Sequence, residues 1–176
     1  MKRHNSIYPL FILAGFLCFT VLNCSCGNIH YGFRDKSTIP DSIKTVTIHQ
    51  IENRAQYQNT QLTQKLSDKI RQKIIGQTKL TQTNSDNPDW EISGTITQYS
   101  FSTSAISGQQ VATNRLTVTV HIIKISNKED NKDEYDVSRN FEFRGTQSIQ
   151  QAEATLMDEM VRTLTDEIFN KLFADW

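Results

Sequence analysis

Apolar and polar residues alternate strictly in the middle of the chain. The order is Leu116, Thr117, Val118, Thr119, Val120, His121 and Ile122. A period of two predicts a β-strand that buries one face and leaves the other face polar. This strand is predicted over residues 111–125. Its threonine face can meet water, sugar or the wet interior of another protein.

A second long strand is predicted just before it, at residues 90–101. Its apolar residues keep one parity as far as Ile96, whereas Tyr99 and Phe101 fall on the other parity. An extra residue in a strand shifts the parity of everything that follows it. The pattern therefore predicts a β-bulge or a twist near Gln98.

Further extended segments complete a predicted sheet. They are a short strand at residues 44–49, a loop at 102–110, a charged hairpin tip at 127–133, and a return strand marked by Tyr135, Val137, Phe141 and Phe143. Polar turns between consecutive strands are typical of hairpins. The three long strands are therefore predicted to form an antiparallel meander.

Two segments switch to the helical period. The first, at residues 58–76, places an apolar residue at every fourth position and ends at Gly76: Leu62, Leu66, Ile70 and Ile74. The second starts with a capping box formed by Ser148 and Gln151. Its apolar stripe comprises Ile149, Leu156, Met160, Val161, Leu164, Ile168, Phe169 and Leu172. Together these elements predict an α+β two-layer sandwich, with two helices packed on one face of a mostly antiparallel sheet.

The two predicted helices carry opposite charges. The first has a basic row made of Lys65, Lys69, Arg71 and Lys73, and the second is predicted to expose Glu153, Asp158, Glu159, Asp166 and Glu167. If the helices lie side by side, these charges pair, and each exposed pair contributes only about 0 to 1 kcal/mol. A basic row can also bind phosphate groups. The structural interpretation is the simpler of the two.

The N-terminus has the layout of a secretory signal peptide, predicted over residues 1–25. Lys2 and Arg3 precede an apolar run at residues 7–22. The run is shorter than the roughly 20 residues of a spanning helix, and Pro9 lies near its start. We therefore expect this segment to be cleaved.

Two cysteines follow the apolar run, and one of them is predicted to carry a lipid. Cys24 has Val21 at the apolar position of a lipoprotein signal, whereas Cys26 has the small residue Ser25 directly before it. Cysteines two residues apart rarely reach disulfide geometry. We expect lipid on Cys26, with Cys24 as the alternative, then a tether at 26–43 and a single α+β domain at 44–176.

Composition excludes several classes of function. The chain has 19 basic and 19 acidic residues, so it lacks the basic excess of a nucleic-acid-binding protein. Its histidines are scattered, and no metal-ligand spacing, nucleophile elbow or glycine-rich phosphate loop is present in the sequence. We predict neither catalysis nor a metal or other cofactor.

A set of short motifs, in this order, resembles the LptE-type lipoproteins of the Bacteroidetes, which assist lipopolysaccharide assembly. The motifs are a cysteine shortly before Tyr31-Gly-Phe33, Lys44-Thr-Val-Thr-Ile48, Asn53-Arg54-Ala55, Gln77-Thr78-Lys-Leu80, Glu91-Ile-Ser-Gly-Thr-Ile-Thr-Gln-Tyr99, Asn114-Arg-Leu-Thr-Val-Thr-Val120, Ile168-Phe-Asn170 and Trp176. The resemblance covers the chain from Cys26 onward. The short distance from Cys26 to Tyr31 is the reason to prefer Cys26 as the lipid attachment site.

The resemblance implies a role without catalysis, as a plug and assembly factor inside the outer-membrane β-barrel LptD. It implies three partners: the barrel, lipopolysaccharide, and the outer membrane through a lipid anchor, with the domain facing the periplasm and the barrel lumen. Lysines Lys65, Lys69 and Lys73, with Arg71 and Arg115, are the candidate contacts for lipid A phosphates. The alternative is a structural or chaperone lipoprotein that docks to another outer-membrane complex. A periplasmic ligand-binding lipoprotein would need a large apolar pocket.

Overall fold

The computed structural model describes residues 39–103 and 113–173. Within these residues the elements in chain order are β1 (Thr45–Ile48), β2 (Glu52–Asn53), α1 (Thr60–Gln77), β3 (Thr81–Gln82), β4 (Trp90–Thr103), β5 (Thr113–Ser126), β6 (Asn131–Arg144) and α2 (Ile149–Phe173). Residues 26–38 of the predicted tether lie outside the described residues. Its last residue, Ile43, is buried in the core.

The strands form one mixed sheet in the order β3-β1-β4-β5-β6, and β2 pairs with β4 further along. β4, β5 and β6 form the predicted antiparallel meander. β1 runs parallel to both β3 and β4. Helix α1 lies between β1 and β3 in the chain and provides the crossover that two parallel neighbouring strands need. The prediction of an α+β fold with a mostly antiparallel sheet is confirmed.

The predicted bulge in β4 is confirmed. The pairing with β5 shifts between Ile96 and Gln98, so Thr97 is the extra residue. This shift returns Tyr99 to the face that Ile96 already occupies, and both side chains are buried. The bulge therefore keeps a single apolar face along the whole of β4.

Both helices cover that apolar face. The side chain of Asn59 caps α1 by accepting a hydrogen bond from the Leu62 amide at 3.0 Å. The capping box of α2 forms as predicted, because the Gln151 amide donates to Ser148 Oγ at 3.2 Å and the Ser148 amide donates to Gln151 Oε1 at 3.1 Å. Fully buried side chains come from both layers and include Leu62, Leu66, Ile74, Ile96, Leu116, Ile122, Met160, Leu164 and Ile168.

Several predicted boundaries are wrong. Helix α1 covers residues 60–77 rather than 58–76, because Asn59 is its cap and Gly76 lies inside its last turn. Residues 131–133 belong to β6 and not to the hairpin tip, and residues 102–103 belong to β4 and not to the following loop. Backbone pairing with β5 extends both strands into polar residues, and a polar sequence of this kind predicts a turn. The rest of that loop lies outside the described residues.

Gly94 permits a close approach of side chains inside the core. A Cβ atom at this position would lie 2.8 Å from Ile122 Cδ1 and 3.2 Å from Ile51 Cγ1. We expect Gly94→Ala to lower the free energy of unfolding by about 1 to 2 kcal/mol, because both isoleucines must shift. Urea unfolding measures this change. Gly76→Ala is the control, since its Cβ would meet nothing within 4 Å, and it should leave stability unchanged or raise it. Equal effects at the two glycines would contradict the interpretation.

Candidate functional site

The face of the sheet opposite the helices, here called the open face, is polar over its centre, whereas Ile123 and Ile125 lie on it toward one end. Register partners share a face, so the open face follows from the residues that pair with Thr117 and Thr119. Its centre, here called the neutral band, consists of Gln98, Ser100, Thr117, Thr119, Ser138 and Asn140. None of these residues is buried, and none carries a charge.

Hydrogen bonds between strands connect the neutral band. Thr117 Oγ1 donates to Asn140 Oδ1 at 2.8 Å. Thr119 Oγ1 lies 3.2 Å from Gln98 Oε1, to which it donates, and 2.9 Å from Ser138 Oγ. Cross-strand pairs of this kind stabilise a sheet modestly, by about 0.2 to 1 kcal/mol each. The band is therefore ordered by side-chain contacts and yet open to solvent.

Charged residues lie toward the ends of the open face. Most of them are paired within the chain, whereas Arg144, which is the register partner of Thr113, is exposed and forms no ion pair with a described residue. At one end Arg115 Nη2 lies 3.3 Å from Glu142 Oε1. At the other end His121 Nδ1 lies 2.8 Å from Asp136 Oδ1, and His49 Nε2 lies 2.6 Å from Glu91 Oε1. The predicted position of His121 on the solvent side of the sheet is confirmed. Its acidic partner comes from the neighbouring strand, so sequence spacing did not reveal it.

The helix layer shows the predicted pairing of opposite charges. Lys65 Nζ lies 3.4 Å from Asp158 Oδ1, and Lys73 Nζ lies 2.6 Å from Asp166 Oδ1. The second pair lies eight residues after the first on both helices, so α1 and α2 run in the same direction. Lys73 also lies over the Phe169 ring, 4.9 Å from its centroid. The structural interpretation of the lysine row is confirmed for these two lysines.

The candidate lipopolysaccharide contacts do not form one surface. Lys65, Lys69, Arg71 and Lys73 belong to α1 in the helix layer, whereas Arg115 lies on the open face. Arg71 is paired with Asp68 on its own helix at 3.0 Å. Lys69 is exposed and forms no ion pair with a described residue. The candidate lipid sites Cys24 and Cys26 lie outside the described residues.

Glu153 is buried, so its prediction as an exposed residue is wrong. Its side chain accepts three hydrogen bonds, from Tyr99 Oη at 2.8 Å, Asn59 Nδ2 at 2.9 Å and Tyr57 Oη at 3.1 Å. The spacing contained the signal, because Glu153 lies four residues after Ile149, on the apolar stripe of α2. Ile149 itself, predicted to be buried, is 38 % exposed because it lies at the helix start.

Two tyrosines donate to the Glu153 carboxylate and remain protonated. Burial, followed by the hydrogen bond to Glu153, raises the pKa of Tyr99 far above its usual range. Burial and the Glu153 charge also raise the pKa of Tyr57. The two rings stack with centroids 5.4 Å apart. The cluster joins the segment before α1, strand β4 and the first turn of α2.

Asp89 connects three other parts of the chain. Its Oδ2 accepts hydrogen bonds from the amides of Lys44 at 2.7 Å and Thr45 at 2.9 Å, and Oδ1 lies 2.9 Å from Lys128 Nζ. These contacts, led by the Lys44 amide, hold the pKa of the Asp89 carboxyl well below its usual range. The site fixes β1 and the β5–β6 turn to the start of β4. Sequence reasoning did not single it out.

The described residues enclose a small cavity beside Gly94. Its lining includes Ile51, Ser67, Ile70 and Ile122, and its volume is about 10 Å³. A space of this size holds about one water molecule and no lipid chain. Among the described residues, no group of histidine, cysteine and acidic side chains is arranged to hold a metal ion. Neither described helix has the length and apolar character needed to cross a membrane.

Solved structures that resemble this chain differ widely from it in sequence. A neuraminyllactose-binding hemagglutinin homolog from Helicobacter pylori has a TM-score of 0.55 and 9% identity, over 82% of this chain and 90% of that chain. The protein CT253 from Chlamydia trachomatis has a TM-score of 0.46 and 11% identity, over 76% and 99%. Lipoprotein GNA1162 from Neisseria meningitidis has a TM-score of 0.40 and 10% identity, over 72% and 99%. At 9% identity, the likeness to the Helicobacter pylori protein shows the fold alone.

The sequence family is more specific than the fold. The comparison with curated proteins gave no match. The family model LptE, described as lipopolysaccharide-assembly, matches residues 43–172. This range begins at the buried Ile43 and ends at Leu172 in the last turn of α2. The match thus includes every described helix and strand, and the chain belongs to the LptE lipopolysaccharide-assembly family.

Proposed function

We propose that this protein is an outer-membrane lipoprotein that acts, without catalysis, as the plug and assembly factor of an LptD-type β-barrel translocon. The family has its role in lipopolysaccharide assembly. The observation that carries the finer proposal is the extent of the family match, from the start of the core to the end of α2. Because the match includes both layers of the fold, it assigns the whole folded domain, and not a short motif, to the family.

The surface of the domain supports a position inside a barrel. The lumen of an outer-membrane barrel is polar. A plug therefore needs a surface that forms hydrogen bonds but carries few unpaired charges. The open face has this character, because its central side chains are neutral and most of its terminal charges, with the exception of Arg144, are paired within the chain. A lipid on Cys26, or on Cys24, would hold the domain at the membrane.

The decisive experiment is an affinity purification of the tagged full-length protein from detergent-extracted membranes, with mass spectrometry of the proteins that co-purify. We expect an LptD-type barrel at about one copy per copy of this chain. Cys26→Ser and Cys24→Ser, compared in parallel by intact mass, identify the lipidated residue. Absence of the barrel from a preparation whose lipid anchor is present would contradict the proposal. It would favour a lipoprotein that docks to another outer-membrane complex.

Direct binding of lipopolysaccharide gives a separate prediction. Lys69→Glu tests the basic row without disturbing the ion pairs of Lys65 and Lys73, and Arg115→Glu tests the open face. Loss of a charge-assisted contact to phosphate should weaken binding by roughly tenfold at the residue that makes the contact. Binding of purified lipopolysaccharide to the full chain measures this effect. Lys171→Glu, exposed at the end of α2, is the control. Unchanged binding in both variants would contradict phosphate recognition by these residues.

A further inference from the structure

The two layers of the domain differ in the charge that they present to a partner. The neutral band has no formal charge, whereas the helix layer exposes Lys69, Glu159 and Arg162, which form no ion pair with any described residue. We propose that the neutral band is the surface that docks against the inner wall of the barrel, at a place where the wall presents neutral hydroxyl and amide side chains. This inference rests on the proposed function and specifies its contact surface.

Desolvation favours the neutral band over the helix layer. An unpaired charge that is removed from water costs several kcal/mol unless the partner supplies a matching charge. A hydroxyl or amide group exchanges one hydrogen-bond partner for another at little net cost. Charged residues are accordingly depleted from the centres of protein interfaces. The neutral band places hydroxyl and amide groups at the centre of the open face, and the charged residues lie toward its two ends.

The band also retains hydrogen-bonding capacity. Asn140 accepts from Thr117 through Oδ1, and its Nδ2 group makes no hydrogen bond with a described residue. Thr119 contacts both Gln98 and Ser138, and a hydroxyl group rotates to suit a new partner. These contacts join side chains and not backbone groups. A partner can therefore replace them without disturbing the pairing of the strands.

The neutral band lies at the centre of an open face that, taken whole, is large enough for a main contact. Strands β4, β5 and β6 have 14 residues each. At about 3.4 Å per residue and about 4.8 Å between strands, they span roughly 45 Å by 14 Å. The resulting projected area of roughly 600 Å² approaches the approximately 800 Å² that each partner buries in a standard interface.

Site-specific photocrosslinking tests which layer contacts the barrel. A photoreactive amino acid replaces either Ser138 in the neutral band or Glu159 on α2, both of which are exposed. In cells that contain the barrel, we expect a crosslink to the barrel from position 138 and none from position 159. A crosslink from position 159 alone would overturn the inference, as would a crosslink from position 138 to a second copy of this chain.

A matched pair of substitutions tests the importance of neutrality. Asn140→Asp and Gln150→Glu each convert an exposed amide into a carboxylate, the first in the neutral band and the second at the start of α2. The Asp side chain at position 140 still accepts from Thr117, so the fold and the thermal midpoint should be retained. We expect the co-purified barrel to fall about tenfold with Asn140→Asp and to be unchanged with Gln150→Glu. Equal recovery in both variants would overturn the inference.

The two levels of the proposal fail in different ways. If the unsubstituted protein co-purifies with the barrel but position 138 does not crosslink to it, the inference is wrong and the proposed function stands. If the unsubstituted protein does not co-purify with the barrel at all, the proposed function is wrong and the inference falls with it.

Discussion

Replacement of Glu153 by alanine is expected to lower the free energy of unfolding by about 3 kcal/mol. Glu153 as a residue is 9% exposed, and its carboxylate accepts hydrogen bonds from Tyr57, Asn59 and Tyr99. Removal of the acceptor deprives both tyrosine hydroxyls of their partner and leaves Asn59 Nδ2 with only its longer hydrogen bond, 3.4 Å to Tyr99 Oη. The Tyr99 hydroxyl is affected most, because its ring is 3% exposed. Urea unfolding followed by circular dichroism measures the change.

Two conservative variants separate the hydrogen bonds of Glu153 from its packing. Glu153→Gln keeps the size of the side chain and one acceptor oxygen, so we expect a loss of about 1 to 2 kcal/mol. Tyr57→Phe removes a donor whose side chain is 38% exposed, and its cost should be below about 1 kcal/mol. The order of losses is therefore alanine, glutamine, then phenylalanine. A Glu153→Ala protein as stable as the unsubstituted protein would contradict the role of this cluster.

Replacement of Asp89 by alanine is expected to cost about 2 kcal/mol, because the amides of Lys44 and Thr45 and the Lys128 ammonium lose their shared acceptor. The side chain is 15% exposed, so water replaces only part of these contacts. Ser126→Ala is a control at the last residue of β5, directly before the β5–β6 turn that contains Lys128. Ser126 Oγ donates to Glu129 Oε2 at 3.1 Å and forms no hydrogen bond with the Asp89 side chain. Its cost should be smaller than that of Asp89→Ala.

The Asp89 contacts also give stability a dependence on pH. The carboxyl has a lower pKa in the folded chain than the 3.8 of an unperturbed aspartate. Between these two pKa values the unfolded chain binds a proton that the folded chain does not, so acidification favours unfolding. This stabilisation is fully present above the unfolded pKa and is lost as the pH falls below about 4. Asp89→Asn keeps an acceptor oxygen but does not titrate.

The measurement is the difference in unfolding free energy between the unsubstituted protein and Asp89→Asn. We expect this difference to be constant above about pH 5 and to shrink as the pH falls toward 2. Asp133 also has a lowered pKa, chiefly because it accepts a hydrogen bond from Lys124, but it is present in both proteins and cancels in the difference. A difference that does not vary with pH would contradict the stabilising role of the Asp89 charge.

The hydrophobic pattern predicted most of the secondary structure. Alternation in β4 and β5, the four-residue period in α1 and the capping box of α2 are local signals, and each identified its element. The change of parity between Ile96 and Tyr99 even located the bulge. These signals are sufficient because one buried face imposes a period on the residues of a single element.

The contacts between elements were harder to predict from the sequence. The opposite charges of α1 and α2 predicted their pairing, but the Asp89 site and the acidic partners of His121 come from segments that no spacing rule connects. Glu153 lies on the buried side of α2, but an acidic side chain is normally predicted to be exposed. Its burial is tolerated because Tyr57, Asn59 and Tyr99 supply hydrogen bonds, and these residues lie far from it in the sequence.

The sequence by itself determined the elements, the single apolar face of the long strands, the two helices that cover it and the family of the chain. The tertiary structure alone decided that β1 runs parallel to β4, that Glu153 is buried, that the candidate phosphate contacts divide between two layers, and that six neutral side chains form one band. The reason is physical. The period of apolar residues shows which side of one helix or strand is buried. Contacts between strands and between the two layers depend on register and packing, which bring together residues from distant parts of the chain.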